Sequence, residues 1–316
     1  MLRHRGRTQR RRDARQSRGA ARRVLLCQPN RRDVTPLGAA SRAAGALMQD
    51  FTPLYVDIDL PEGALLRDDA GQASVVDACH PNDAQAVWYH AHAPAMTFNA
   101  QKAITQWAAE NGLGPRARPV DPNDDNGTLL EGGGVAFTRG VNCGFVVDAA
   151  LVEQDCFCLA IRVSSPDAEA RSLLTVNPDA SDNYLFLSES EGRLIWRDDA
   201  GMVEVSIPAP GKDYWVLAGF DQGKLHLTAA PVGDVFPIPQ KSTRPSAELA
   251  EELNGVADLF IGCRSHRKGI LKTLGSSVVH DVLIWLDHGA STPAALEQVA
   301  RACRYAEAPR NTGERP

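Results

Sequence analysis

No apolar run in the 316-residue chain approaches the roughly 20 residues that a membrane-spanning helix needs. The one apolar stretch near the start, Val24-Leu25-Leu26-Cys27, is too short for the h-region of a secretory signal. It also lacks the small residue before Cys27 that a lipoprotein signal carries. A disulfide framework is missing as well. The seven cysteines are odd in number and scattered, and Cys156 and Cys158 stand two apart on one expected strand, where a pleat separates them too widely to bridge easily. No period of about 20–50 residues recurs, which excludes solenoids and propellers. There is no Gly-x-Ser-x-Gly nucleophile elbow, and Gly132-Gly133-Gly134 precedes a strand pattern rather than a helix, so it is no phosphate-binding loop. These absences predict a chain made in the cytoplasm without a signal peptide, with no membrane association and no cofactor.

Charge is present but unevenly placed. Residues 1–32 hold twelve arginines and a single acid, Asp13, which leaves 22 basic and 38 acidic residues in 33–316, a net charge of −16 there. Such a basic block buries no apolar surface and is expected to be disordered. Three readings of it stay open: a polyanion-binding arm acting through counterion release, an Arg-rich targeting peptide, and an upstream extension of a frame that starts at Met48. Any contact with nucleic acid is expected through this tail only. Residues 33–47 are small and Ala-rich, suiting a linker or short helix.

Residues 51–60, FTPLYVDIDL, read as one strand. Asp57 and Asp59 at period two are a solvated face, since no nucleotide-binding βαβ pattern follows. From about residue 135 the chain is punctuated every eight to twelve residues, as an antiparallel sandwich requires. In DCFCLAIRV (155–163), Phe157, Leu159, Ile161 and Val163 fall on one face and Cys156, Cys158, Ala160 and Arg162 on the other. Ser190-Glu191-Gly192 and Asp221-Gln222-Gly223 mark hairpins, and Pro210-Gly211-Lys212 a turn. Thr292 as N-cap and Pro293 at the first helical position open one late helix, 292–305. The pattern is all-β.

The order of these segments resembles the laminin-G-like branch of the concanavalin A-like lectin/glucanase superfamily. The closing run, 257–305, is similar to that family's Ile-Gly strand, variable loop, Asp-x-Val-x-Ile-Tyr strand and short helix. Asp281, Val282, Ile284 and Trp285 take the strand positions and Ala294-Ala295-Leu296-Glu297 begins the helix. The opening resembles a narrower pattern of bacterial and phage-borne members. Val87-Trp88-Tyr89-His90-Ala91-His92-Ala93 fills the slot of Leu-Trp-Tyr/Leu-Asp-Ala-Ser-Asp. Ile104-Thr105-Gln106-Trp107, Asn111-Gly112-Leu113-Gly114 and Val135-Ala136-Phe137 follow in order. The resemblance implies a two-sheet antiparallel jelly-roll sandwich over 84–306 with a short C-terminal helix. Around it stand a disordered basic tail with linker (1–47), an extension with one strand (48–83) and a disordered end (307–316). Where the family carries acids in the opening motif, this chain has His90 and His92, and no Asp-Gly pair follows Phe137, which removes support for calcium there.

Endoglucanases of the resembled fold carry Glu-x-Asp-x-x-Glu or a close variant along one strand, because even spacing puts acids on one face and retaining hydrolysis needs two carboxyls about 5–5.5 Å apart. The nearest match, Glu189-Ser190-Glu191, sits at an expected hairpin turn with no third acid in register. It reads as a solvated turn, and no catalytic residue is assigned. Cys156 and Cys158 could ligate zinc only with a second pair, and neither Cys79-His80 nor His90/His92 has zinc-template spacing; buried thiols are the better reading. The same spacing argument assigns no metal to His90 and His92, and replacing both with Ala is expected to change stability only modestly.

Two ligand-binding candidates remain. If Phe157, Leu159 and Ile161 face the core, the resembled fold places Arg162 on an outer face near Asp281 and Trp285, a ring beside charged groups that suits a sugar. The competing reading has the Trp88–Trp107 segment or a loop cover that face, with Trp285 simply packed. On the closing strand Val278, His280, Val282, Ile284 and Leu286 are expected to share one phase, opposite Asp281, Leu283 and Trp285. The second candidate is the loop CRSHRKG (263–269), where Arg264, His266, Arg267 and Lys268 form a positive patch suited to an anionic polysaccharide. The sequence thus predicts a noncatalytic carbohydrate-binding or adhesion module, homo-oligomeric, contacting a cell-surface glycan and other particle proteins. The expected setting is a spike, fibre or decoration component of a bacteriophage-like particle, a virion released by lysis. A structural assembly module and a glycoside hydrolase with an atypical site are the alternatives.

Overall fold

The structure, a computed structural model, describes residues 78–110, 112–121, 127–264 and 274–308. The Arg-rich tail and linker, the 51–60 strand, residues 309–316 and the loop residues His266, Arg267 and Lys268 lie outside the described residues.

The chain enters through β1 (Val87–His90), β2 (Met96–Phe98), β3 (Ile104–Trp107), β4 (Arg118–Pro119), β5 (Thr128–Leu129) and β6 (Val135–Phe137). The long strands β7 (Phe145–Val152) and β8 (Cys156–Ser164) follow, then β9 (Leu174–Pro178), β10 (Leu185–Ser190), β11 (Arg193–Asp198) and β12 (Glu204–Pro208). Next come β13 (Asp213–Asp221), β14 (Lys224–Pro231), β15 (Gln240–Lys241), helix α1 (Ala247–Leu253), β16 (Val256–Ile261), β17 (Ser277–Leu286) and helix α2 (Pro293–Glu307). One sheet has eight strands, in the order β15-β14-β13-β8-β17-β6-β5 with β1 also paired to β17. A second has seven, β12-β11-β10-β9-β16-β7-β4, and β2 and β3 pair as a two-stranded ribbon. Every pairing is antiparallel, and from β4 onward the chain changes sheet at β4 to β5, β6 to β7, β7 to β8, β8 to β9, β12 to β13, β15 to β16 and β16 to β17. This is the expected jelly-roll sandwich.

Strand alternation builds its core. Phe157, Leu159, Ile161 and Val163 of β8 meet Tyr214, Val216, Ala218 and Phe220 of β13 and Leu185 and Leu187 of β10 between the sheets. Each such fully buried large side chain contributes about 1.5–3 kcal/mol. The hairpin turns use positive φ at both central residues, Glu191 (52°) with Gly192 (69°) and Gln222 (50°) with Gly223 (75°), which matches the twist of the flanking strands. Helix α1 starts at Ser246, whose side chain accepts from Leu249 N, and sends Leu249 and Leu253 into the main core. Thr292 caps α2 as expected, accepting from Ala295 N, with Pro293 next.

A second core lies on the outer face of the eight-stranded sheet. Val299, Ala300, Ala302, Cys303 and Ala306 of α2 pack on Cys158, Ala160, Trp215, Leu217, Leu283, Trp285 and Trp88. Burial pushes the Cys158 thiol up to about 12, an inert packed group. No helix among the described residues is long and apolar enough to cross a membrane.

The structure departs from the sequence reading in three places, the first being helix α1, a second helix where only the late one is expected. The β17 register slips between Val279 and Asp281, a bulge at His280. Val279, not Val278 or His280, therefore joins Val282 and Ile284 in the inner core, and Leu286 at the strand end is 40% exposed. Glu189 is not a solvated turn acid. It is the last inward position of β10 and fully buried, where it accepts from Ser165 Oγ and from Ala170 N. The turn itself is only Glu191-Gly192, and Glu191 alone is exposed.

Candidate functional site

Of the residues expected to bind, Arg162, Asp281 and Trp285 do share the outer face of the eight-stranded sheet. Asp281 is opposite Arg162 and Trp285 opposite Cys158 in the β17–β8 register. The face is covered, however. Trp285 is 1% exposed beneath α2, and its indole N–H donates to Ala84 O at 2.9 Å. The ring is packed, as the competing reading held.

Asp281 is fully buried and therefore needs partners, because an isolated buried carboxylate is strongly disfavoured. It has three. Trp88 Nε1 donates to Oδ1 at 2.9 Å, His90 Nδ1 lies 2.7 Å from the same oxygen, and Arg162 Nε lies 2.9 Å from Oδ2. The pairing of β1 with β17 sets this up by placing His90 opposite Asp281. Beside it, His92 Nε2 lies 2.6 Å from Glu110 Oε2, and the His90 and His92 rings are 4.5 Å apart. His280 at the bulge bonds Ser164 Oγ at 2.9 Å; burial first, then the nearby Arg162 charge, lower its pKa. Glu307 at the end of α2 is pushed up by burial.

Arg264 is elsewhere, on the outer face of the seven-stranded sheet. It leaves the end of β16 and lays its guanidinium 4.0 Å from the centroid of the Phe186 ring. Arg197, directly opposite Phe186 on β11, brings a second guanidinium to 4.9 Å from the same ring. The row continues with Glu204, 3.6 Å from Arg197, on one side and Thr175, Phe260 and Val146 on the other. Tyr184 lies 5.7 Å from Phe186; burial first, then a hydrogen bond with Asp199, raise its phenol. Ser188 and Ser206 flank β11 one step along the same face, and Arg193 donates to Ser206 Oγ at 2.9 Å and 3.1 Å. None of the described ion pairs involves Arg264.

The sequence reading missed Trp88 and His90 as partners of Asp281, Glu110 as the partner of His92, and Phe186 and Arg197 as the platform for Arg264. For Trp88 and His90 a signal existed, since period two places both on one face of an expected strand. Nothing local connects Phe186 to Arg264.

No protein-family model matches this sequence, and no curated protein matches it. Among solved structures, an arabinofuranosidase complexed with arabinofuranosyl-alpha-1,2-xylobiose is similar at 10% identity and a TM-score of 0.45, over 64% of this chain and 51% of that one. Mouse laminin alpha1 chain domains LG4-5 are similar at 16% identity and a TM-score of 0.36, over 54% and 48%. The botulinum neurotoxin serotype D binding domain is similar at 12% identity and a TM-score of 0.41, over 68% and 50%. In each case the match spans about half of the other chain.

Proposed function

We propose that this chain is a noncatalytic carbohydrate-binding or adhesion module whose ligand face is the outer surface of the seven-stranded sheet around Arg264. The observation that carries the reading is the pair of guanidiniums, Arg197 and Arg264, stacked on the single ring of Phe186. Two like charges held on one ring favour an anion or a set of hydroxyls that shares them, and planar guanidiniums bind a sugar carboxylate bidentately. Ser188 and Ser206 add hydroxyls on the same face, and Tyr184 braces Arg264 there through a side-chain hydrogen bond. Arg162, Asp281 and Trp285, tied up under α2, drop out of the binding role. Glu189, enclosed in the sandwich, and Glu191, at the turn, are not a carboxylate pair facing a cleft, which supports a module without hydrolytic activity.

The test is a panel of uronic-acid, sulfated and neutral polysaccharides, read both as binding and as new reducing ends. Retention on acidic glycans, weakened by added salt and lost in Arg197→Ala/Arg264→Ala, is the expected result. New reducing ends would favour a glycoside hydrolase instead, and a silent panel with stable oligomers a structural assembly module. The setting of a bacteriophage-like particle belongs to the same proposal and expects capsid, portal or tail genes beside this one. Sugar-utilisation genes there would sink it.

A further inference from the structure

We infer that His90 and His92 form a chelating pair for a late first-row divalent cation such as Zn2+, Ni2+ or Cu2+. Each imidazole is oriented by its own carboxylate, His90 by Asp281 at 2.7 Å and His92 by Glu110 at 2.6 Å. A carboxylate only accepts, so His90 donates from Nδ1 and, as a neutral ring, carries its lone pair on Nε2. His92 donates from Nε2 and carries its lone pair on Nδ1. The carboxylates thus fix both tautomers and ring orientations, the device by which outer groups prepare imidazole ligands for a metal. The rings lie 4.5 Å apart, tilted 49°, and both side chains reach solvent, at 17% and 23% exposure. Two imidazoles bound to one ion at about 2.0–2.1 Å each place their ring centres roughly 4.5 Å apart at a ligand angle of about 90° and about 5.2 Å apart at the tetrahedral angle, so the observed spacing needs only a small opening of the rings.

The backbone is set for this spacing. His90 ends β1 and is held by pairing with β17, and His92 N donates to His90 O at 3.0 Å, which folds the two residues onto one side. Asp281 is itself anchored by Trp88 and Arg162, so the His90 ring cannot easily turn away. Among the described residues no group of three or more His, Cys, Asp or Glu is placed to hold a metal. The pair therefore leaves the ion's other positions to water or to an oxygen of an incoming ligand. Imidazole donors select this class of ion over calcium or magnesium. The sequence reading assigned no metal here for want of a third ligand with recognisable spacing, but chelation by two needs none.

The experiment is a calorimetric titration of the full chain with zinc chloride alone, repeated on His92→Ala and Glu110→Gln. Both substitutions fall on the exposed side of the cluster and leave Asp281 its three partners; unchanged thermal unfolding of the metal-free variants establishes that they fold. The wild type is expected to take up one Zn2+ in a step that Glu110→Gln weakens by about 10–100-fold and His92→Ala removes. The imidazole proton resonances of His90 and His92 should shift together as zinc is added. No uptake by the wild type, or equal uptake by wild type and both variants, would overturn the assignment.

Discussion

The two sheets treat their outer faces in opposite ways. On the eight-stranded sheet, helix α2 and the segment before β1 seal Trp88, Trp215 and Trp285 to 1% exposure or less, and the charges there are tied up around Asp281. On the seven-stranded sheet, no described helix packs across the outer face. Val120, Cys263 and Leu274 cover one part of it, over Val146 and Phe260, and arginines rather than a helix cap the ring of Phe186. Tryptophan beside Arg and Asp looks like a sugar site in sequence. The comparison teaches that an aromatic next to charges says nothing of binding until the covering element is known. The phenylalanine, with no such neighbours in sequence, has the better claim.

The sharpest way to break this comparison is to truncate one ring beneath the helix. Trp285→Ala should cost about 3–5 kcal/mol, measured by chemical denaturation; a loss below about 1 kcal/mol would mean that α2 does not seal the face. Arg162→Ala removes one partner of a buried carboxylate, a loss of about 3–5 kcal/mol for a fully buried pair. Arg162 is 18% exposed and Trp88 and His90 remain, so about 1–3 kcal/mol is expected. Next in size is a pH effect on the same sheet. Burial lowers the pKa of His226 and of His280 below the ordinary 6.5. The unfolded chain then binds more protons than the folded one between 6.5 and the lowered values. Stability from these groups is complete above about pH 7 and falls as pH drops through 6.5, and His226→Gln together with His280→Gln should flatten that slope in thermal unfolding. Smallest on stability is Arg264→Ala, expected at about 1 kcal/mol for a partly buried arginine whose main contact is the Phe186 ring, while retention on acidic glycans, on the proposed function, should fall.

What was legible in the sequence was local. The inward set of β8, the places of the two hairpins and the Thr292 cap of α2 depend on neighbours within a few positions, and all form where they are expected. The bulge at His280 was not legible, because inserting one residue reverses the alternation without changing composition. Glu189 adjoins the turn in sequence, and a strand's last inward position differs from a turn position only in what Ser165 and Ala170 bring to it. Of the candidate site, Arg264 was picked out by charge, whereas Phe186 and Arg197 reach it only through the order of β16, β9, β10 and β11 in the sheet. Trp88 and Asp281, 193 residues apart, meet only once β1 pairs with β17.

That pairing has a consequence for how the domain is made. β17 is the last of the described strands, yet it is an inner strand of its sheet, with β8 on one side and β6 and β1 on the other. A chain emerging from the ribosome can zip β13 and β14 onto β8 early. β1, β5 and β6 find no place in that sheet until residue 286 has been released. The inner face of β8 and the apolar opening segment wait exposed until β17 arrives, since their pairings are contacts of the longest range. Closure of the sandwich therefore waits for β17, and a chain stopped short of β17 has lost the strand that joins β8 to β6 and β1.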